Sequence, residues 1–134
     1  MMLDVTAGNR MLWPNKNPPN TVFLDKETKL AFPPDVFGAW SFLPFRDDAF
    51  NCIMFDPPHL IFMGPKSKHR DPKDKKNWWG INWPNRTSLL RSIISAQREF
   101  ARVGKRLIFK WGESRDGGTA VSYTHLTLPT ILLV

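Results

Sequence analysis

Cysteine is nearly missing from this chain: among 134 residues only Cys52 is one. A single thiol excludes an intramolecular disulfide framework and a cysteine-cage zinc site. Histidine is scarce too, and His59, His69 and His125 stand without ligand spacing, so no metal site is expected. No apolar run reaches the roughly 18 residues needed to span a bilayer. No basic start leads into an apolar stretch of the signal-peptide kind. The expected setting is therefore the reducing cytoplasm, with no membrane partner. Acidic residues are also in short supply: 12 Asp and Glu face 19 Lys and Arg, a formal net charge of +7. That excess favours polyanionic partners without identifying one. At 42% hydrophobic and 13% aromatic residues the chain can fill a core. This excludes a disordered tail or a collagen-like repeat, and the length implies one domain.

What is present reads as short strands that end in polar turns. Met1–Val5 is apolar apart from Asp4 and breaks into the small-residue turn Thr6-Ala7-Gly8-Asn9. Pro14–Asn20 is loop chemistry. Thr21–Asp25 is a second β-rich run, and Asp35–Trp40 a weaker third. Leu43–Phe50 is a turn-rich connection, and Cys52–Phe55 is a continuous apolar run, as for a strand buried on both faces. Thr87–Val103 predicts a helix with Leu89, Leu90, Ile93, Ile94, Phe100 and Val103 at three- and four-residue spacings, Thr87 or Ser88 as its cap and Gly104 as its stop. Arg106–Trp111 predicts another strand. The alternation implies a Rossmann-like α/β domain over residues 1–116, with a mainly parallel sheet and flanking helices. Residues 117–134 differ: they carry no Asp, Glu, Lys or Arg. Val121–Thr130 looks like a translated sequencing-adapter read-through, of the kind found at the ends of metagenomic gene predictions. The other reading of this tail is a closing hairpin strand at a sheet edge.

Three acids, Asp4, Asp25 and Asp56, each stand at the carboxyl end of an apolar strand. In open parallel sheets ligands bind outside those ends. Small residues after the first strand let backbone approach a ligand closely, and an acid after the second can accept bonds from ribose hydroxyls. Asp4, Thr6, Ala7, Gly8 and Asp25 thus form a candidate cradle for an adenosine-containing cofactor. A single glycine in the turn is a poor match to the dinucleotide fingerprint, which points away from a pyrophosphate. Taken singly, each acid also reads as a cap or turn residue.

Asp56-Pro57-Pro58-His59 is more specific. Prolines cannot continue a central ladder, and Pro57 holds Asp56 extended. A carboxylate and a carbonyl fixed there can take the two protons of an exocyclic amino group and aim its lone pair at a methyl donor. Asp56 is then a candidate proton acceptor, and His59 is placed to contact the base plane. The bland reading is a strand-terminating turn.

In order, Asp4–Arg10, Phe23-Leu24-Asp25, Leu43-Pro44-Phe45, Phe55–His59 and Leu107–Trp111 resemble class I S-adenosylmethionine-dependent methyltransferases, in particular a small group from phages and bacterial metagenomes. Asp56–His59 is similar to the Asp/Asn-Pro-Pro-aromatic motif of amino-methyltransferases acting on adenine N6 or cytosine N4. The resemblance implies S-adenosylmethionine as cofactor. Asp4 to Gly8 would lie along its methionine and ribose side, Asp25 would hold the ribose, and Asp56, Pro57, Pro58 and His59 would form the catalytic loop. His59 replaces the motif's aromatic, and Ala39 and Trp40 stand where the family often has an adenine-binding acid. The family's sheet has seven strands; about five are expected before the tail, so the chain reads as truncated at the missing antiparallel edge.

Between Gly64 and Lys76 six cations, Lys66, Lys68, Arg70, Lys73, Lys75 and Lys76, face two acids, and Trp78 and Trp79 follow. Lysines can take phosphates and tryptophans can stack on exposed bases, whereas the bland reading is a solvated loop beside packing tryptophans. The expected partner is nucleic acid, DNA before RNA. The alternatives are the same fold acting on RNA, protein or a small molecule, or an inactive basic nucleic-acid-binding fragment.

Overall fold

The computed structural model describes residues 1–58, 85–115 and 118–127. The order is β1 (Met2–Asp4), β2 (Thr21–Asp25), β3 (Val36–Phe37), β4 (Cys52–Phe55), α1 (Arg86–Val103), β5 (Arg106–Arg115) and β6 (Gly118–Thr127). They form one sheet in the order β3-β2-β1-β4-β5-β6. The first five strands run parallel, and β6 pairs antiparallel with β5. This is a partial Rossmann-like α/β fold. Its strand order steps outward from β1 in one direction and then, at β4, in the other, so the topological switch point lies between β1 and β4. Within the uncharged tail, Gly118–Thr127 adopts the closing hairpin strand.

Apolar strands line the middle of the sheet. Leu3, Leu24, Ile53 and Phe55 are buried and join Val5, Leu43, Phe50 and Leu107 in one core. Among the described residues the flanking layer is a single helix. The β1–β2 connection contains Pro14, Pro18 and Pro19, and the β2–β3 connection Pro33 and Pro34. Neither shows apolar helical periodicity, and both run as turns and bends.

Of the two apolar stripes that the helix sequence offers, the core takes Leu89, Ala96, Phe100 and Val103, with Ile93 packed beside them. Leu90 and Ile94 face outward, at 40% and 61% exposure. The cap is Asn85 rather than Thr87 or Ser88: its side chain accepts the Ser88 N–H at 2.8 Å. Asn85 precedes the first helical residue, Arg86, and so reaches the N–H of the third, Ser88. Gly104 ends the helix as expected, and the reason is space. Its φ is an extended −136°, and a Cβ there would sit 2.6 Å from Ile53 Cδ1.

Arg102 fastens the end of α1 to the Leu43–Asp47 connection. Its guanidinium donates to the carbonyls of Leu43 and Phe45, to Asp47 and to Glu99, at 2.6–3.2 Å. Glu99 in turn accepts the Leu43 N–H at 2.7 Å. The Arg102 hydrogen bond holds the Glu99 carboxyl below the usual range.

Candidate active site

Parallel alignment brings the carboxyl ends of β2, β1 and β4 side by side, and with them Asp25, Asp4 and Asp56. The turn after β1 ties the three together. The Val5 N–H donates to the Met54 carbonyl and the Ala7 N–H to the Leu24 carbonyl, so this turn is stitched to both neighbouring strands. Gly8 stands at φ +47°, a left-handed conformation that favours glycine. That conformation delivers its N–H to Asp25 Oδ2 at 2.8 Å. Asp25 Oδ1 accepts the Glu27 N–H at 2.9 Å, so each oxygen already holds one backbone donor and keeps lone-pair capacity for another.

Asp4 is 1% exposed. Oδ1 accepts the Thr6 N–H at 3.0 Å and Oδ2 the indole N–H of Trp13 at 2.7 Å. Burial pushes its carboxyl up to about 6; the bonds from Trp13 and Thr6 oppose that, and the charges of Asp56 and Asp25 add to it. Asp4 therefore organises the turn from beneath rather than facing solvent. The Thr6 hydroxyl lies 3.5 Å from Asp4 Oδ1 and accepts the Asp56 N–H at 2.8 Å. One side chain thus couples the turn after β1 to the loop after β4.

Asp56 is followed by Pro57, which is fully buried. Asp56 Oδ2 meets Lys110 Nζ of β5 at 3.0 Å, and both side chains are about four-fifths buried, at 21% and 19% exposure. The register explains the meeting: Phe55 pairs with Phe109, so the next residues on each strand, Asp56 and Lys110, stand level. Beneath them Phe55 stacks on Phe109 and packs edge-on against Phe100 and Trp40. Trp40 is anchored to the helix by its indole N–H, which donates to Ser92 Oγ at 3.2 Å. It therefore serves as packing beside β3.

The structure thus brings together Asp4, Thr6, Ala7, Gly8, Asp25, Asp56 and Pro57, with Pro58 following. His59, Lys66, Lys68, Arg70, Lys73, Lys75, Lys76, Trp78 and Trp79 lie outside the described residues. Three residues had no assigned role in the sequence reading. Lys110 was detectable as the one cation within the run Leu107–Trp111. Trp13 had only the general signal that a half-buried indole seeks an acceptor. Arg10 had none. It is buried at φ 55°, lies 3.9 Å over the Phe23 ring, and donates to the carbonyls of Lys16 and Pro33 and to Asn17. It knits together the connections on either side of β2.

Among the described residues no cluster of His, Cys, Asp and Glu is arranged to hold a metal ion. None of their helices is long and apolar enough to cross a membrane. Compared with protein-family models, with curated proteins and with solved structures, the chain gives no significant match.

Proposed function

We propose that this chain is an S-adenosylmethionine-dependent methyltransferase whose acceptor is the exocyclic amino group of a nucleobase in DNA. One observation carries the reading. At the switch point of a parallel sheet, a glycine-containing turn bonded to the acid of β2 is joined through Thr6 to an Asp-Pro-Pro loop after β4. Cofactor-type and acceptor-type elements then share one sheet edge, as methyl transfer between two bound molecules requires.

The residues present fit the cofactor. Ala7 and Gly8 leave the turn after β1 small, and Asp25 has acceptor capacity for ribose hydroxyls. Asp25 is the carboxylate at this edge open to a cationic sulfonium ligand, since Asp4 is buried and Asp56 meets Lys110. When bound, S-adenosylmethionine supplies an electrophilic methyl group. Asp56 and the Pro57 carbonyl accept the two N–H bonds of the amino group. Its lone pair is then turned out of conjugation and toward the methyl. Buried Pro57 keeps that geometry from relaxing. Phosphate contacts are assigned to the lysines between Gly64 and Lys76, and base stacking to His59, Trp78 and Trp79.

Calorimetric titration of S-adenosylmethionine into the full chain tests the cofactor, followed by transfer of labelled methyl to DNA. Asp25→Ala is expected to weaken cofactor binding about tenfold or more. Asp56→Ala is expected to abolish transfer while cofactor binding persists. A folded sample that does not bind S-adenosylmethionine overturns the reading. Binding followed by transfer to RNA, protein or a small molecule instead of DNA overturns only the acceptor.

A further inference from the structure

The ion pair of Asp56 and Lys110 has a chemistry that the motif alone does not give. A carboxylate oxygen that can only accept and an ammonium that can only donate stand 3.0 Å apart at the carboxyl ends of adjacent strands. The described residues saturate neither group. The ammonium has three N–H bonds, and among the described residues one is used, on Asp56 Oδ2. Asp56 Oδ1 has no partner among the described residues. Both side chains keep about a fifth of their surface open. Counting only the described residues, the pair keeps two donors and one carboxylate oxygen, and a polar group can meet them through the open fifth of each side chain.

We infer that Lys110 is a specificity-determining residue that, with Asp56, reads an amidine unit, an amino group on a carbon double-bonded to a ring nitrogen. This rests on the reading of an amino-group acceptor proposed above. The amino N–H donates to Asp56, and the adjacent ring nitrogen accepts from Lys110 Nζ. Adenine offers this unit at N6 and N1, and cytosine at N4 and N3. Thymine and uracil present the reverse pattern, a carbonyl oxygen beside a protonated ring nitrogen, which sets N–H against the lysine and oxygen against the carboxylate. Lys110 thereby sorts bases before any methyl moves. It also turns the amino group so that a second N–H remains for the Pro57 carbonyl. Strand register sets the two residues level, and the ion pair holds the ammonium against the carboxylate, which is the positioning a discriminating site needs.

The test is equilibrium binding of nucleosides to the full chain, in pairs that differ by one atom: adenosine with 1-deazaadenosine, and cytidine with 3-deazacytidine. In each second member a C–H replaces the accepting ring nitrogen and the amino group stays. The wild-type chain is expected to bind the parent of at least one pair about 10- to 100-fold more tightly than its deaza partner, the range for a hydrogen bond to a charged group. Lys110→Met is expected to bind both members of that pair alike, and Lys110→Arg to keep part of the difference. Equal binding within both pairs by the wild-type chain, or no binding of any of the four, overturns the inference without recourse to a variant. Labelled methyl transfer separates the two ideas. A nitrogen-dependent difference in binding with no transfer supports the Lys110 assignment and overturns the methyltransferase reading. Equal transfer to parent and deaza acceptors overturns the assignment and leaves the methyltransferase reading standing.

Discussion

At the scale of single residues, the end of β1 carries an acid whose cost depends on pH. Folding raises the Asp4 carboxyl from 3.8 to about 6, so the folded state holds the proton more tightly than the unfolded chain. For an acid shifted upward, stability is lost as pH rises between those values, and the loss is complete above the higher one. The shift corresponds to about 3 kcal/mol. Asp4→Asn removes this titration. It also leaves one of the Thr6 and Trp13 N–H groups without an acceptor, at a pH-independent cost of about 1–3 kcal/mol. Wild type minus variant stability, from urea denaturation, is therefore expected to fall by up to about 3 kcal/mol between pH 4 and pH 7. A difference that stays flat over that range rejects the assignment. Thr6 gives a second prediction. Thr6→Val keeps the shape and removes the acceptor of the Asp56 N–H. It is expected to destabilise by about 1–3 kcal/mol and to speed amide exchange at Asp56, whereas Thr6→Ser restores protection.

At the scale of elements, the junction between α1 and β4 is set by contact between Gly104 and Ile53. A methyl group at position 104 meets Ile53 Cδ1 at 2.6 Å and Cγ1 at 2.7 Å, while the backbone there is ordinary. Gly104→Ala is expected to cost about 1–3 kcal/mol through overpacking, with part recovered in the double variant with Ile53→Val; thermal unfolding reads both. Were φ the reason for the glycine, Ile53→Val would recover nothing. The elements themselves were largely legible in the sequence. Thr21–Asp25 and Cys52–Phe55 appear with the expected bounds, because each is an apolar run closed by an acid or an Asp-Pro turn. The side of α1 that packs was not legible. Leu89 with Ile93 and Leu90 with Ile94 have equal spacing, and only the sheet beneath decides between them. The cap was ambiguous because Asn85, Thr87 and Ser88 are all cap formers. The acids of the site could be found because the strand-end rule is local to each strand. Lys110, Trp13 and Arg10 enter through register and loop closure, which no period in the sequence encodes.

At the scale of the whole molecule, a sheet of this order concentrates function at one place and vulnerability at another. The switch point between β1 and β4 gathers three carboxylates in a chain of net charge +7. Lys110 offsets Asp56 and Asp4 is buried, so Asp25 is the acid there that can draw a cationic ligand, while the excess of positive charge over the chain favours a polyanion. The vulnerable places are the sheet edges. On one side β3 ends the sheet with two residues, too short to template another strand. On the other, β5 is long, and ten register pairs with β6 cover its free side from Arg106 to Arg115. Without β6, that run of N–H and C=O groups lies open to a second chain. Among the described residues β6 is itself the last strand, so its loss moves the open edge inward to β5, and a chain ending at residue 116 is expected to lose slow exchange at the β5 amides that point toward β6. In the full chain, the amides of β5 that point toward β6 should exchange slowly, like those of the central strands. If the shortened chain retains slow exchange in β5, strand pairing by residues 118–127 adds no protection, and the parallel strands with α1 are a self-sufficient unit.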